Sequence, residues 1–234
     1  MKKVFKKVII VLSLLFIILG MAFFAYTGNY YHAEEEVYDY LSLDNVEIRD
    51  EVIIFNNDEA SKNIIFYPGA KVEYLAYAPL MSKLSENGFE CYLLKMPFNL
   101  AFFGVNKAYE FLDENKQNYL MGHSLGASMA CEFVKNNTAS VDGLILLAGY
   151  SASNISDYDI STISIYGTED GVLNLDKYND SKINLPSNFK EYIIEGGNHA
   201  GFGFYGKQKN DKPALISSKE QIDITVNEIK ELLK

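Results

Sequence analysis

Short apolar runs, rich in β-branched and aromatic residues, alternate along this chain with longer amphipathic stretches. Val46 to Ile48 and Val52 to Phe55 read as an opening hairpin across Arg49-Asp50. Asn63 to Tyr67 has the character of a buried strand. A helix is predicted from about Tyr74 to Asn87, stopping at Gly88, and Phe89 to Leu94 reads as the next strand. A further helix is expected near Asn106 to Lys116. The apolar run Asn118 to Met121 follows as a strand, and helix-forming residues run from Ala127 to Lys135. Val141 to Leu147, Thr162 to Tyr166 and Phe189 to Ile194 complete eight strands. The last helix starts near Ser217, with Glu220 placed to form a capping box, and runs to Leu233. Strands alternating with helices predict an α/β fold, a mainly parallel eight-stranded sheet flanked by helices.

The N-terminus departs from this rhythm. Lys2, Lys3, Lys6 and Lys7 precede Val8 to Tyr26, nineteen residues without a charge. At about 1.5 Å of rise per residue, a helix of that length spans roughly 30 Å of hydrocarbon. The lysine cluster favours a cytoplasmic N-terminus, so a single-pass protein of the cell membrane is expected, with the rest of the chain extracytoplasmic. A cleaved signal peptide is the rival reading. It normally ends in a small-x-small cleavage site, whereas Ala22 and Ala25 are poorly spaced and Phe23, Phe24 and Tyr26 are bulky. The organisation expected is therefore 1–26 as anchor or signal segment and 27–44 as a polar, tyrosine-rich connection. That connection includes a short helix around Glu35 to Leu41, and 45–234 form one domain.

Charge narrows the partners. All 31 acidic residues lie beyond the apolar span, with 17 of the 21 basic ones, so that part carries a formal charge of −14. Such a surface opposes nucleic acid and anionic headgroups, leaving the apolar segment as the link to a membrane. Cys91 and Cys131 are too few for a disulfide framework and read as small buried residues. The three histidines are scattered, no metal-ligand spacing is visible, and no cofactor is expected.

Candidate chemistry centres on Gly122-His123-Ser124-Leu125-Gly126. A strand before this G-x-S-x-G run and a helix after it would raise Ser124 on a sharp turn as a nucleophile. Side chains at the two glycines would collide with neighbouring elements. A nucleophilic serine needs a base, and the base needs an orienting carboxylate. Downstream, Ile163 to Gly171 reads as a strand ending in an acidic turn that offers Glu169 and Asp170. Tyr192 to His199 reads as a strand ending in a glycine-rich turn with a histidine. Asp157, Asp159 and Asp176 are weaker rivals for the acid. Each main candidate follows the carboxyl end of its strand, where open α/β sheets collect their site residues. His123 is expected to pack rather than act as base.

In this order the motifs Pro68-Gly69-Ala70-Lys71-Val72, Gly122 to Gly126, Tyr166 to Gly171 and Gly196 to Gly203 resemble those of the α/β-hydrolase superfamily. More narrowly, they resemble those of its single-domain bacterial hydrolases, over roughly Asn63 to the C-terminus. The resemblance implies an α/β-hydrolase fold and a triad of Ser124, Asp170 and His199. It also implies an oxyanion hole made by the N–H groups of Leu125 and Ala70, with Gly69 the close alternative for the second donor. Ala70 stands where the family often has a second glycine. Lids in this superfamily usually arise between the strand after the elbow helix and the acid strand; here that gap is short, so no large cap domain is expected.

The activity implied is a serine hydrolase cleaving carboxylic esters or related acyl compounds through an acyl-enzyme, on a small-molecule or lipid-like acyl substrate. Acyl transfer on the same triad, or a non-catalytic envelope binding protein on a hydrolase scaffold, are the alternatives. Met96 to Phe103, with Phe202 and Phe204, are candidates either for an acyl pocket or for the core. Lys71 is a weaker candidate for contact with an anionic substrate.

Overall fold

The computed structural model describes residues 2–233. The chain divides into two compact units, one ending at Tyr30 and the other beginning at Tyr31.

The first unit is helix α1, Lys2–Gly28. Its stretch Val4–Gly28 is long and apolar enough to cross a membrane, a test that a signal sequence also passes.

The second unit is a three-layer α/β structure. Residues expected to be only a connection pack into it. Tyr31 donates its N–H to the Lys71 carbonyl (2.7 Å) and accepts from Glu73 N–H (2.8 Å). Helix α2, Val37–Leu41, buries Val37. The sheet runs β1 (Val46–Ile48), β2 (Val52–Phe55), β4 (Glu90–Leu94), β3 (Lys62–Tyr67), β5 (Gln117–His123), β6 (Gly143–Leu147), β7 (Ser161–Gly167) and β8 (Lys190–Ile194) in spatial order. β1 and β2 are antiparallel to their neighbours, and β3 to β8 are all parallel. The central strands read as continuous apolar runs because helices cover both faces.

One face packs on α3 (Ala78–Glu86) and α6 (Ser218–Leu232) around Phe66, Leu80, Met121 and Ile229. The other packs on α4 (Leu125–Asn136) around Tyr67, Leu120, Phe133 and Leu146. Ser217 caps α6 by accepting Glu220 N–H at 3.1 Å.

Two elements differ from expectation. Asn106 to Lys116 forms no α-helix. Instead 3₁₀ turns run from Ala101 to Phe111, interrupted at Gly104. The buried Tyr67 hydroxyl donates to the Val105 carbonyl (2.6 Å), which engages a carbonyl a regular helix would use internally. A side chain at Gly104 would also press on Pro97 at 3.2 Å, so the segment lies tight against the loop after β4. Conversely, α5 (Leu175–Ser181) forms in a polar stretch where the sequence pattern named no element. Asn174 starts it by accepting Lys177 N–H at 2.9 Å.

Chain order reverses at β3. β4 lies on one side of it and β5 on the other, so the loops leaving β3 and β5 face each other across the carboxyl edge. Such a switch point is where open α/β sheets form their crevice. The connection from β6 to β7 contains no helix or strand, and among the described residues there is no large cap.

Candidate active site

Strained backbone clusters at this edge. Lys71 follows β3, Phe98 and Asn99 follow β4, Ser124 follows β5 and Ala148 follows β6, all with φ between 46° and 59°. Non-glycine residues avoid that region, and structures retain such strain chiefly where a site requires it. Ser124, at φ 53° and ψ −118°, is the apex of the turn from β5 into α4. Its N–H donates to the Leu147 carbonyl (2.9 Å), and its own carbonyl accepts Ala127 N–H (3.1 Å). The glycines around it are needed for space. A Cβ on Gly122 would collide with the backbone of Gly126, and one on Gly126 with the Tyr67 carbonyl. That second contact brings the start of α4 against the end of β3.

His199 lies in the turn after β8 and Asp170 in the turn after β7. His199 Nδ1 donates to Asp170 Oδ2 at 2.9 Å, with both side chains almost wholly buried, 2% and 1% exposed. Asp170 Oδ1 accepts the N–H groups of Val172 (2.8 Å) and Leu173 (2.7 Å), which fixes the carboxylate. Because a carboxylate accepts, Nδ1 carries a proton, so in the neutral tautomer of the ring it is Nε2 that presents the lone pair. Nε2 is buried and has no protein hydrogen-bond partner. Ser124 and His199 line the same cleft of about 270 Å³, and no hydrogen bond joins them in this structure. Glu169 uses its N–H on the Gly197 carbonyl (2.8 Å), and its carboxylate faces the Thr168 hydroxyl rather than His199.

The turn after β3 distinguishes the two expected donors. Gly69 N–H donates to Tyr77 Oη at 3.2 Å. Among the described residues, neither the Ala70 nor the Leu125 N–H donates to a protein acceptor.

His123 does not face the cleft. It is buried against Phe202, ring centroids 5.6 Å apart, and hydrogen-bonded to Tyr77 and the His199 carbonyl. Burial, and secondarily the neighbouring His199, hold its imidazole well below the ordinary value of 6.5. Both cysteines are free and buried; burial pushes the Cys131 thiol up to about 12. Among the described residues no group of His, Cys, Asp and Glu side chains is arranged to hold a metal ion.

The aromatic residues considered for an acyl pocket sit elsewhere. Phe202 and Phe204 are core, and Phe102 is 65% exposed. The cleft beside Ser124 is lined instead by Leu125, Ser128, Tyr150, Leu173 and Lys177. Local sequence gives no sign of this, because the lining comes from α4, from the loops after β6 and β7 and from α5.

Two residues that the motifs do not mark hold the site's turns. Asp211 accepts Gly171 N–H with Oδ1 and Ala200 N–H with Oδ2, each at 2.9 Å. Gln221, fully buried on α6, accepts Asn198 N–H (2.9 Å) and donates to the Asn198 carbonyl (2.8 Å). A buried glutamine in an otherwise amphipathic helix is the one sequence sign of either.

The strand order, the elbow after β5 and the turns after β7 and β8 define an α/β-hydrolase architecture. The sequence model described as "Alpha/beta hydrolase family" matches residues 63–223, and the chain belongs to that family. Its fold is similar to that of alpha/beta hydrolase domain-containing protein 10 from mouse, at 12% identity and a TM-score of 0.60, over 80% of this chain and 97% of that one. It is similar also to a lipase-esterase related protein from Clostridium acetobutylicum (13%, TM-score 0.58, 80% and 99% covered). A third similar structure is a soluble variant of monoglyceride lipase from Saccharomyces cerevisiae, solved with a substrate analogue (11%, TM-score 0.57, 81% and 94% covered). At these identities the likeness is one of fold. A search of curated proteins found no match.

Proposed function

We propose that this protein is a serine hydrolase of carboxylic esters or related acyl compounds, held at the cell membrane by α1 with its catalytic domain outside. The observation that carries the reading is the Asp170–His199 hydrogen bond. It aims an unpartnered Nε2 into the cleft that Ser124 lines.

In this reading Ser124 Oγ attacks the substrate carbonyl carbon while His199 Nε2 takes the hydroxyl proton. Asp170 holds the imidazole in the required tautomer and stabilises the imidazolium. The carbonyl oxygen becomes an oxyanion and accepts the N–H groups of Ala70 and Leu125; one such donor typically contributes about 3–4 kcal/mol to the transition state. The tetrahedral intermediate collapses, the C–O bond to the alcohol breaks, and His199 returns the proton to the departing oxygen. Water then attacks the acyl-enzyme with His199 again as base, releasing the acid and restoring Ser124. In free hydrolases the serine–histidine bond is often long and tightens only when substrate is bound.

The cleft is small and mixed in polarity, which suits a short acyl group. The acidic surface argues against adsorption to anionic lipid, so α1 is the membrane link. The test uses purified full-length protein, a fluorophosphonate probe and a panel of p-nitrophenyl esters of increasing acyl length. Wild-type protein should be labelled and should hydrolyse the shorter esters. Ser124→Ala should lose labelling and all but a trace of turnover. Labelling that persists in Ser124→Ala would remove Ser124 from the nucleophile's role.

A further inference from the structure

Beneath the cleft, the turn that bears Ala70 and the turn that bears His199 are joined by a buried chain of hydrogen bonds. Gly69 N–H donates to Tyr77 Oη at 3.2 Å. Tyr77 Oη and His123 Nδ1 are 2.8 Å apart. His123 Nε2 and the His199 carbonyl oxygen are 3.0 Å apart. Tyr77 and His123 are 0% and 1% exposed.

The directions follow from elementary chemistry. A carbonyl oxygen only accepts, so His123 Nε2 carries the ring proton. A neutral imidazole then offers Nδ1 as an acceptor, and the Tyr77 hydroxyl must donate to it. The hydroxyl oxygen is left with lone pairs, one of which takes Gly69 N–H. Every hydrogen in the chain has one place and no group competes with another. Burial keeps His123 neutral, which the scheme requires, and a neutral ring 4.7 Å from His199 does not repel an imidazolium formed there.

We propose that Tyr77 and His123 form a positioning relay that sets the spacing between the oxyanion turn and the base. Three further observations support it. First, hydrophobic packing alone would be met by a phenylalanine at 77, since the Tyr77 ring already packs on Phe66 at 4.7 Å. A hydroxyl in the core is costly unless hydrogen-bonded, and this one links the Gly69 turn to His123 and, through His123, to the His199 carbonyl. Second, Gly69 is the residue the relay has room for. A Cβ there would stand 2.8 Å from His123 Nδ1 and 2.9 Å from Tyr77 Oη, inside normal contact distance. Third, engaging Gly69 N–H selects the donor. With that N–H turned inward, the next amide, Ala70, is the one without a protein acceptor. Neither relay residue lines the cleft, so both act through the turns they hold.

This inference rests on the serine-hydrolase reading, and the experiment separates the two. Full-length Ser124→Ala, Tyr77→Phe, His123→Gln and Tyr77→Phe/His123→Gln are compared with wild type, with active sites counted by fluorophosphonate burst. The readouts are kcat, KM and the inhibition constant of a boronic acid, whose tetrahedral adduct mimics the oxyanion. Tyr77→Phe should lower kcat about 10- to 100-fold per active site, the scale of a displacement near 1 Å. KM should stay within about threefold, and the boronate should weaken by the factor lost from kcat/KM, as expected when transition-state contacts alone are lost. His123→Gln keeps a donor for the His199 carbonyl and should lose less. The double variant should lose no more than about the larger of the two single losses, because both changes cut one chain. Wild-type kcat and boronate affinity in Tyr77→Phe, with Ser124→Ala inactive, would overturn the relay alone. Fully multiplicative losses in the double variant would also overturn it. An active Ser124→Ala would overturn the hydrolase reading and the relay with it.

Discussion

Asp211 reaches the backbone of Ala200, accepting its N–H at 2.9 Å, one residue beyond the histidine that lines the cleft. The other oxygen of the same carboxylate accepts Gly171 N–H, one residue beyond Asp170. A single side chain thus clamps the Asp170 turn to the His199 turn. Asp211→Ala should lower kcat roughly tenfold with little change in KM, since geometry rather than substrate contact is lost. The unpaired amides should cost about 1–3 kcal/mol of stability. Steady-state kinetics with thermal unfolding checks both, and an unchanged kcat would show the clamp has no catalytic consequence.

The acid role proposed for Asp170 is tested by contrast with its neighbour. Asp170→Asn would leave a group that can present an N–H to His199 Nδ1 and favour the wrong tautomer, a change that can cost about 10⁴ in kcat. Glu169→Gln, which alters a carboxylate not bonded to His199, should stay within about threefold of wild type. The reverse ranking of the two variants would move the acid to Glu169.

The elbow glycines are predicted to govern stability as much as activity. Gly126→Ala drives a methyl group into the Tyr67 carbonyl, and Gly122→Ala into the Gly126 backbone. Backbone cannot swing aside as a side chain does, so each should cost at least the upper end of the usual 1–3 kcal/mol for overpacking. Urea unfolding measures it; a midpoint within error of wild type would contradict the close approach of β3 and α4.

His123 gives stability a defined dependence on pH. Its imidazole is held well below 6.5 in the folded protein, while in the unfolded chain it protonates near 6.5. Below that pH the unfolded chain binds a proton that the folded chain refuses. Stability therefore falls as pH drops from about 6.5 toward the lowered folded value, by up to about 1.4 kcal/mol per pH unit, and this contribution is flat above that window. His123→Gln should show a shallower fall between pH 7 and pH 5 than wild type in paired thermal melts. Parallel curves would mean that His123 titrates normally.

The N-terminal segment is tested by fractionation. Full-length protein should remain with membranes through a high-salt wash, and external protease on protoplasts should remove the domain that begins at Tyr31. A chain starting at Tyr31 should be soluble and active, because the second unit has its own core. A shortened mature chain in the medium would identify α1 as a cleaved signal.

Local pattern alone determined much of this protein. The eight strands, the stop of α3 at Gly88, the cap of α6, the apolar N-terminal segment and the Ser124 turn were legible. Apolar runs, glycines and capping residues act over a few residues and leave local marks. The order Ser124, Asp170, His199, each after its own strand, was equally visible. Tertiary structure decided what depends on distant partners. It set the 3₁₀ path of Ala101–Phe111, where Tyr67 takes the Val105 carbonyl, and it formed α5 in a polar stretch. It made Phe202 core and built the cleft wall from Tyr150, Leu173 and Lys177. Asp211 and Gln221, on loop and helix far along the chain, became supports for the site because folding brings their polar atoms to particular backbone amides. A hydrogen bond between residues remote in sequence depends on the path of the chain between them, and no local run of residues encodes that path.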